Sequence, residues 1–237
     1  MLAIGLVVMA FAWLQLTETN HQRHTGAGPL VMLRGFGVLL RDAAFTGYAL
    51  NISFTTAVFF AFLAGAPYIM VELLGRPSSE YGNYFVLNAL SYMLGNFLSG
   101  RLSTRIGPDR MILVGSLLAV AGAALITTLA LTTEMIPIAI FGPVMLVGLG
   151  NGLSLPSATA AAISVRPDLA GTASGLTGFL QMTVGALATL AVGKLQDDTA
   201  YPMVAVMSLA AIIAFSGYLL ARWAQAWSAA AQPQESR

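Results

Sequence analysis

The chain has 237 residues, 57% of them hydrophobic and only 9% charged, with a mean hydropathy of +0.78; an average soluble domain carries about 25% charged residues. So few charges cannot coat a soluble fold of this length, and a net charge of +1 provides no basic field for nucleic acid. Cysteine is absent, which excludes disulfides, thiol catalysis and Cys-based metal sites.

Charge-free runs organise the chain. Residues 1–17 carry no charge, nor do 43–71, 81–100, 111–133, 135–165, 169–193 and 199–221. A bilayer-spanning helix needs roughly 20 mostly apolar residues. Six of the runs reach that length and the first falls just short. A charge at the centre of a spanning helix costs on the order of 3 kcal/mol. The pattern therefore predicts an all-α membrane protein with about seven transmembrane helices. A soluble bundle of seven buried helices would lack the polar helices needed to cover them.

The first run, "MLAIGLVVMAFAWLQLTETN", has no positive n-region and no small-x-small cleavage site. It reads as a membrane helix over 1–17, short because the chain starts inside it, rather than as a signal peptide. Segment 18–42 reads as a loop. His21 and His24 lie in it without a partner cluster, so no metal site is expected. Its second half, "LVMLRGFGVLLRD", alternates apolar runs with Arg34 and Arg41. That suits a helix on the inner membrane surface, weakened by Gly35 and Gly37.

In the second run Tyr48, Asn51, Thr55, Phe59 and Phe62 fall on one helical stripe. The mixture of hydrogen-bonding and aromatic groups suits a loosely specified apolar ligand; helix packing is the alternative. Ser78, Ser79 and Glu80 offer caps ahead of the third run. On that run Asn88, Tyr92, Gly95, Asn96 and Ser99 share a face suited to close packing, with ligand contact as the second reading.

"GRLSTRIGPDR", residues 100–110, then places three arginines in a short connector. Pro108-Asp109 and Pro167-Asp168 each put proline and an acid at a helix start. The fifth run holds "GLGNGLSLPS" (148–157), where Gly148, Gly150, Gly152 and Pro156 weaken the helix and Asn151 and Ser154 can satisfy freed backbone groups. "GAP" (65–67) interrupts the second run similarly. The pairing fits an inverted three-plus-three repeat, and bending alone would also explain it. The sixth run sets Gln181 among Gly171, Gly175, Gly178, Gly185 and Gly193; a mid-bilayer amide needs a partner. Asp197, Asp198, Thr199 and Pro202 start the last helix.

No acid lies near the middle of any run, Glu72 coming closest. Proton coupling needs a protonatable group in the pathway, so this chain alone is not expected to couple protons. No Ser/His, paired-Asp or His/Glu constellation lies in any run, so it is not expected to be an enzyme, and no cofactor is implied. Connectors 18–42 and 101–110, Arg166 and the tail hold nine of the eleven basic residues. The positive-inside rule puts these in the cytoplasm, the N-terminus out and the C-terminus in.

The connector resembles the loop signature of the major facilitator superfamily. Gly100, Leu102, Ser103, Arg105, Gly107 and Arg110 match; Thr104 stands in place of the signature's acid, and Pro108-Asp109 replaces basic residues. The stretches 65–85 and 156–187 are similar to the Bcr/CflA-type drug efflux group. The resemblance implies a C-terminal six-helix bundle over 43–222, preceded by a truncated helix six (1–17) and a cytoplasmic inter-bundle loop (18–42), and followed by a tail (223–237). It implies part of a proton-coupled exporter of small drug-like compounds in a bacterial cytoplasmic (inner) membrane, working by alternating access. Its partners would be membrane lipid, a small-molecule substrate, and protons whose coupling group sits in the other bundle. Tyr48, Asn51, Thr55, Phe59, Asn88, Asn151 and Gln181 are the candidate substrate-cavity residues. Gly100, Arg101, Arg105, Gly107 and Arg110 would form the loop motif, either latching helix ends or anchoring to anionic lipid.

Four other readings compete. A seven-helix retinal pigment needs a mid-helix lysine, and the sole lysine, Lys194, is at a run's end. An intramembrane enzyme lacks its constellation. A non-transporting partner subunit stays open, as does a major facilitator of other substrate and direction.

Overall fold

The computed structural model describes residues 5, 6, 8, 9, 11, 29–132 and 136–231. His21, His24, Glu134 and the end of the tail lie outside them. The chain divides into two compact units, Met1–Arg34 and Gly35–Arg237. In the first, Gly5, Leu6, Val8, Met9 and Phe11 are helical.

All regular elements among the described residues are helical. Helix α1 spans Pro29–Arg41, α2 Ala43–Tyr68, α3 Ser78–Ile106, α4 Pro108–Thr132, α5 Pro137–Val165, α6 Ala170–Leu195 and α7 Tyr201–Ala231. A π-helical turn, Ile69–Leu73, extends α2 and begins two residues after Pro67. A 3-10 turn, Pro167–Leu169, leads into α6.

The termini follow local chemistry. Asp42 caps α2, accepting from the backbone N–H of Ala44 at 2.9 Å and of Phe45 at 3.2 Å. Pro108 and Pro137 begin α4 and α5, where a missing N–H costs nothing. The Thr199 hydroxyl accepts from the N–H of Tyr201 at 3.2 Å. Ser78 and Ser79 sit inside the first turn of α3 rather than capping it; Pro77 is the cap residue, with no side-chain bond.

Among the described residues five helices are long and apolar enough to cross a membrane: α2 with its π turn, α4, α5, α6 with its 3-10 turn, and α7. Helix α3 has the length, at 29 residues, but it spends one side on Asn88, Ser91, Asn96 and Ser99. Two boundaries move outward from the sequence reading. Helix α3 runs six residues beyond the apolar run and swallows most of the arginine connector. Helix α7 continues through 223–231, which had been assigned to a tail. On that extension Trp223 and Trp227 stack with centroids 6.0 Å apart and face outward, as tryptophans at a membrane–water interface do.

Helix packing repeats itself. Helix α2 packs mainly on α7 and α6, and α5 mainly on α4 and α3. Helices α2 and α5 also touch each other, and so do α4 and α7. Exchanging α2, α3, α4 with α5, α6, α7 leaves this scheme unchanged, as an inverted repeat requires. Helices α3 and α6 make at most marginal contact with each other.

The glycines of α5 do not break it. The helix runs unbroken through Gly148, Gly150 and Gly152. A Cβ on Gly150 would collide with the backbone of Gly115 and Ala119 in α4. One on Gly152 would collide with the backbone of Tyr92, Gly95 and Asn96 in α3. These residues let neighbouring backbones touch.

The core is layered along the helix axes. One apolar cluster gathers Phe62, Phe141, Ile126, Met203 and Met207. Another gathers Leu39, Phe45, Tyr48, Ile112 and Tyr218. Between them lies a belt of buried polar groups: Asn51, Ser53, Thr55, Thr56, Asn88, Ser116, Asn151 and Ser154.

Candidate functional site

The polar belt opens into a cavity of about 300 Å³ walled by four helices. Helix α2 gives Thr55, Thr56 and Phe59; α3 gives Phe85, Asn88, Ala89 and Tyr92. Helix α5 gives Gly148, Asn151 and Leu155; α6 gives Gln181. Because α3 and α6 flank the cavity without packing together, it opens between them. Among the described residues no carboxylate, lysine, arginine or histidine lines it.

Its three carboxamides come from three helices. Gln181 donates from Nε2 to the Thr56 hydroxyl at 2.7 Å, linking α6 to α2. Asn151 donates from Nδ2 to the carbonyl of Thr55 at 3.3 Å; its Oδ1 is buried with no partner. Asn88 is only 4% exposed. Its Oδ1 is buried without a partner and rests against Gly148, where a Cβ would lie 2.6 Å away.

Of the residues selected from sequence, Thr55, Phe59, Asn88, Asn151 and Gln181 come together at this cavity. Tyr48 and Asn51 do not. Asn51 is wholly buried and donates from Nδ2 to the Ser116 hydroxyl (3.1 Å) and the Ala214 carbonyl (2.9 Å), tying α2 to α4 and α7. Tyr48 lies one turn nearer the arginine-bearing end, its hydroxyl 3.3 Å from Gln225 Oε1 and 3.4 Å from Asp109 Oδ1. The stripe on α2 thus divides: its first two members pack helices, and the next two face the cavity. The α3 face divides likewise. Asn88 and Tyr92 reach the cavity, whereas Ser99 donates to the Leu153 carbonyl at 2.9 Å and Gly95 packs on α5. Thr56, Phe85 and Ala89 were missed. Phe85, Asn88, Ala89 and Tyr92 follow helical i, i+3, i+4, i+7 spacing, a signal hidden because two of them are plain apolar residues.

The arginine connector is mostly helix. Gly100–Ile106 form the last turns of α3, Gly107 turns at φ 89°, and Pro108 already begins α4. Arg101, Arg105 and Arg110 are exposed and, among the described residues, form no ion pair. The acid beside them is engaged elsewhere. Asp109 pairs with Arg222 of α7, and its backbone carbonyl accepts from the Tyr218 hydroxyl at 3.3 Å. Asp109 is more than helix punctuation: it joins α2, α4 and α7.

Comparison with known proteins fits this architecture. The model of the Major Facilitator Superfamily matches residues 1–189. The chain belongs to the Major Facilitator Superfamily. It is 28% identical over 217 residues to a bicyclomycin resistance protein homolog of Haemophilus influenzae, covering 91% of this chain and 54% of that protein. It is 27% identical to the MFS-type transporter YdgK of Bacillus subtilis, covering 90% of this chain and 53% of the relative. A multidrug transporter protein, MdtP, of the same Bacillus is 29% identical over 52% of this chain. The chain spans about half the length of the first two relatives. As a superfamily member with several long apolar helices it is a multi-pass membrane protein.

Proposed function

We propose that this chain is the C-terminal bundle of a proton-coupled exporter of small drug-like compounds in a bacterial inner membrane. The observation that carries the reading is the cavity at the polar belt of a superfamily member, lined by α2, α3, α5 and α6. In this reading 43–222 is the bundle core, 1–17 belongs to helix six, and 18–42 joins the bundles. The cavity becomes half of a substrate pathway when a second six-helix bundle faces α3 and α6, and the lining residues Thr55, Phe59, Asn88, Asn151 and Gln181 contact substrate. Alternating access follows from rocking one bundle against the other. The cavity lining holds no carboxylate, so the proton-binding group belongs to the other bundle. The arginine-bearing end faces the cytoplasm, where Arg101, Arg105 and Arg110 meet anionic lipid.

The test joins this chain to the N-terminal half of the Haemophilus relative and reconstitutes both forms in proteoliposomes. The joined protein is expected to move a drug-like dye against its gradient when a proton gradient is imposed, and to stop with a protonophore. The chain alone is expected to move none. Proton-driven movement by the chain alone overturns the half-transporter reading; failure of the joined protein across a panel of drugs overturns export.

A further inference from the structure

We infer that Asn88 and Gln181 make the cavity selective for uncharged ligands that hydrogen-bond, such as amides, over cations of the same shape. The inference rests on the cavity being the substrate site, and it assigns the charge preference of that site to two residues.

The argument starts from Gly148. Gly150 and Gly152 of α5 bring backbones together, but Gly148 has a different neighbour. The atom that a Cβ there would strike first is Oδ1 of the Asn88 side chain. Gly148 is therefore the seat of the Asn88 amide. The seat buries Oδ1 against α5 without a hydrogen bond among the described residues, which leaves Nδ2, also without a hydrogen bond among them, as the end of the amide for the cavity. A buried polar group without a partner is costly, and at the wall of a cavity the missing partner is a ligand group or solvent. Gln181 is held differently. Thr56 takes one end of its amide, which leaves the other end for the cavity. The two side chains come from α3 and α6, the helices that flank the opening. A ligand lying between them meets a neutral amide on each side.

Charge follows from what is missing among the lining residues. Phe59, Phe85 and Tyr92 support a flat apolar body, and their ring faces attract a cation, by less than burying an unpaired charge costs. Asn88, Asn151 and Gln181 are neutral, and no carboxylate offsets the lost hydration of a cation. A neutral amide offers its carbonyl to Asn88 Nδ2 and its N–H to Gln181 Oε1; a quaternary ammonium ion offers neither an acceptor nor a donor.

Two probes of matched shape separate the possibilities: N-(1-naphthyl)acetamide and 1-naphthyltrimethylammonium. Binding to the purified full chain in detergent is read by equilibrium dialysis, with protein-free micelles subtracted. The wild type is expected to bind the amide at least about tenfold more tightly than the cation. Asn88→Leu is expected to weaken amide binding by about tenfold and leave the cation unchanged. Gln181→Glu, which puts a carboxylate in the same place, is expected to shift the ratio of the two affinities at least about tenfold toward the cation. If Gln181→Glu does not fold, Gln181→Leu replaces it and is expected to lose amide affinity alone. A wild type that prefers the cation, or variants that move both probes equally, overturn the inference. Binding of neither probe also overturns it, while the export reading is judged separately by the proteoliposome result.

Discussion

Asp109, in the first turn of α4, is ion-paired with Arg222, 113 residues later in the last turns of α7. The pair sits beside the Tyr48 hydroxyl of α2 and under the Tyr218 hydroxyl of α7. It therefore fastens three helices at the end of the bundle that carries the arginines. Both side chains are about half exposed, so the ion pair itself contributes about 1 kcal/mol or less. The position at a helix N-terminus adds a favourable dipole interaction of similar size. Reversing the acid to Asp109→Arg sets two guanidinium groups together and is expected to lower the melting temperature of the purified chain in detergent. Arg222→Asp alone should do likewise. The double exchange is expected to recover part of the loss, because it restores the pair but not the dipole term. A double variant no more stable than the sum of the two single losses would show that the contact carries no coupling.

Two glycines of α5 provide a sharper stability test. A Cβ on Gly152 has the backbone of α3 in its way, and one on Gly150 has the backbone of α4. Neither obstacle is the movable tip of a side chain. Gly152→Ala and Gly150→Ala are each expected to cost about 1–3 kcal/mol through forced separation of the helices. Gly178, inside α6, has nothing within 4 Å of its would-be Cβ. There alanine is expected to stabilise, by about 0.5–1 kcal/mol, through helix propensity and a less flexible unfolded chain. Thermal unfolding of the three variants in one detergent checks the contrast; equal effects at all three positions would contradict the packing seen between α5 and its neighbours.

The sequence made the helices legible because charge is expensive in lipid, and the charge-free runs mark where lipid must be. It placed the ends less well. Arg101 and Arg105 end an uninterrupted apolar reading but not a helix, since a guanidinium is compatible with helical backbone once it leaves the membrane core. The same limit hid the helical character of 223–231, where Arg222 came first. Asn51 illustrates a second limit. Helical spacing puts it on one stripe with Thr55 and Phe59, but spacing does not say which neighbour a side chain meets. Its amide is consumed by Ser116 and Ala214, 65 and 163 residues away, contacts that no local pattern encodes. Gly148, Gly150 and Gly152 illustrate a third. Composition alone makes a helix-weakening segment of them, whereas their use depends on Asn88, Gly115 and Gly95 arriving from other helices. Asp109 was legible as a helix start and illegible as a clasp, for the same reason.

Orientation can be tested directly because the chain has no native cysteine, so one introduced thiol is unique. Thr104, in the last turns of α3, and Ser79, in its first turn, lie at opposite ends of one helix and are both exposed. Arg41, Arg101, Arg105, Arg110, Arg166 and Arg222 lie at the Thr104 end of the bundle, and Arg76 and Lys194 at the Ser79 end; basic residues are held on the cytoplasmic face during insertion. In intact cells a membrane-impermeant maleimide is expected to label Ser79→Cys and to spare Thr104→Cys until the membrane is permeabilised. Labelling of Thr104→Cys from outside would place the arginines on the wrong face. Both the lipid contact proposed for Arg101, Arg105 and Arg110 and the direction of export would then have to be reversed. The helix packing would stand, because the pairing of α2 with α7 and of α5 with α4 is indifferent to which side faces the cell interior.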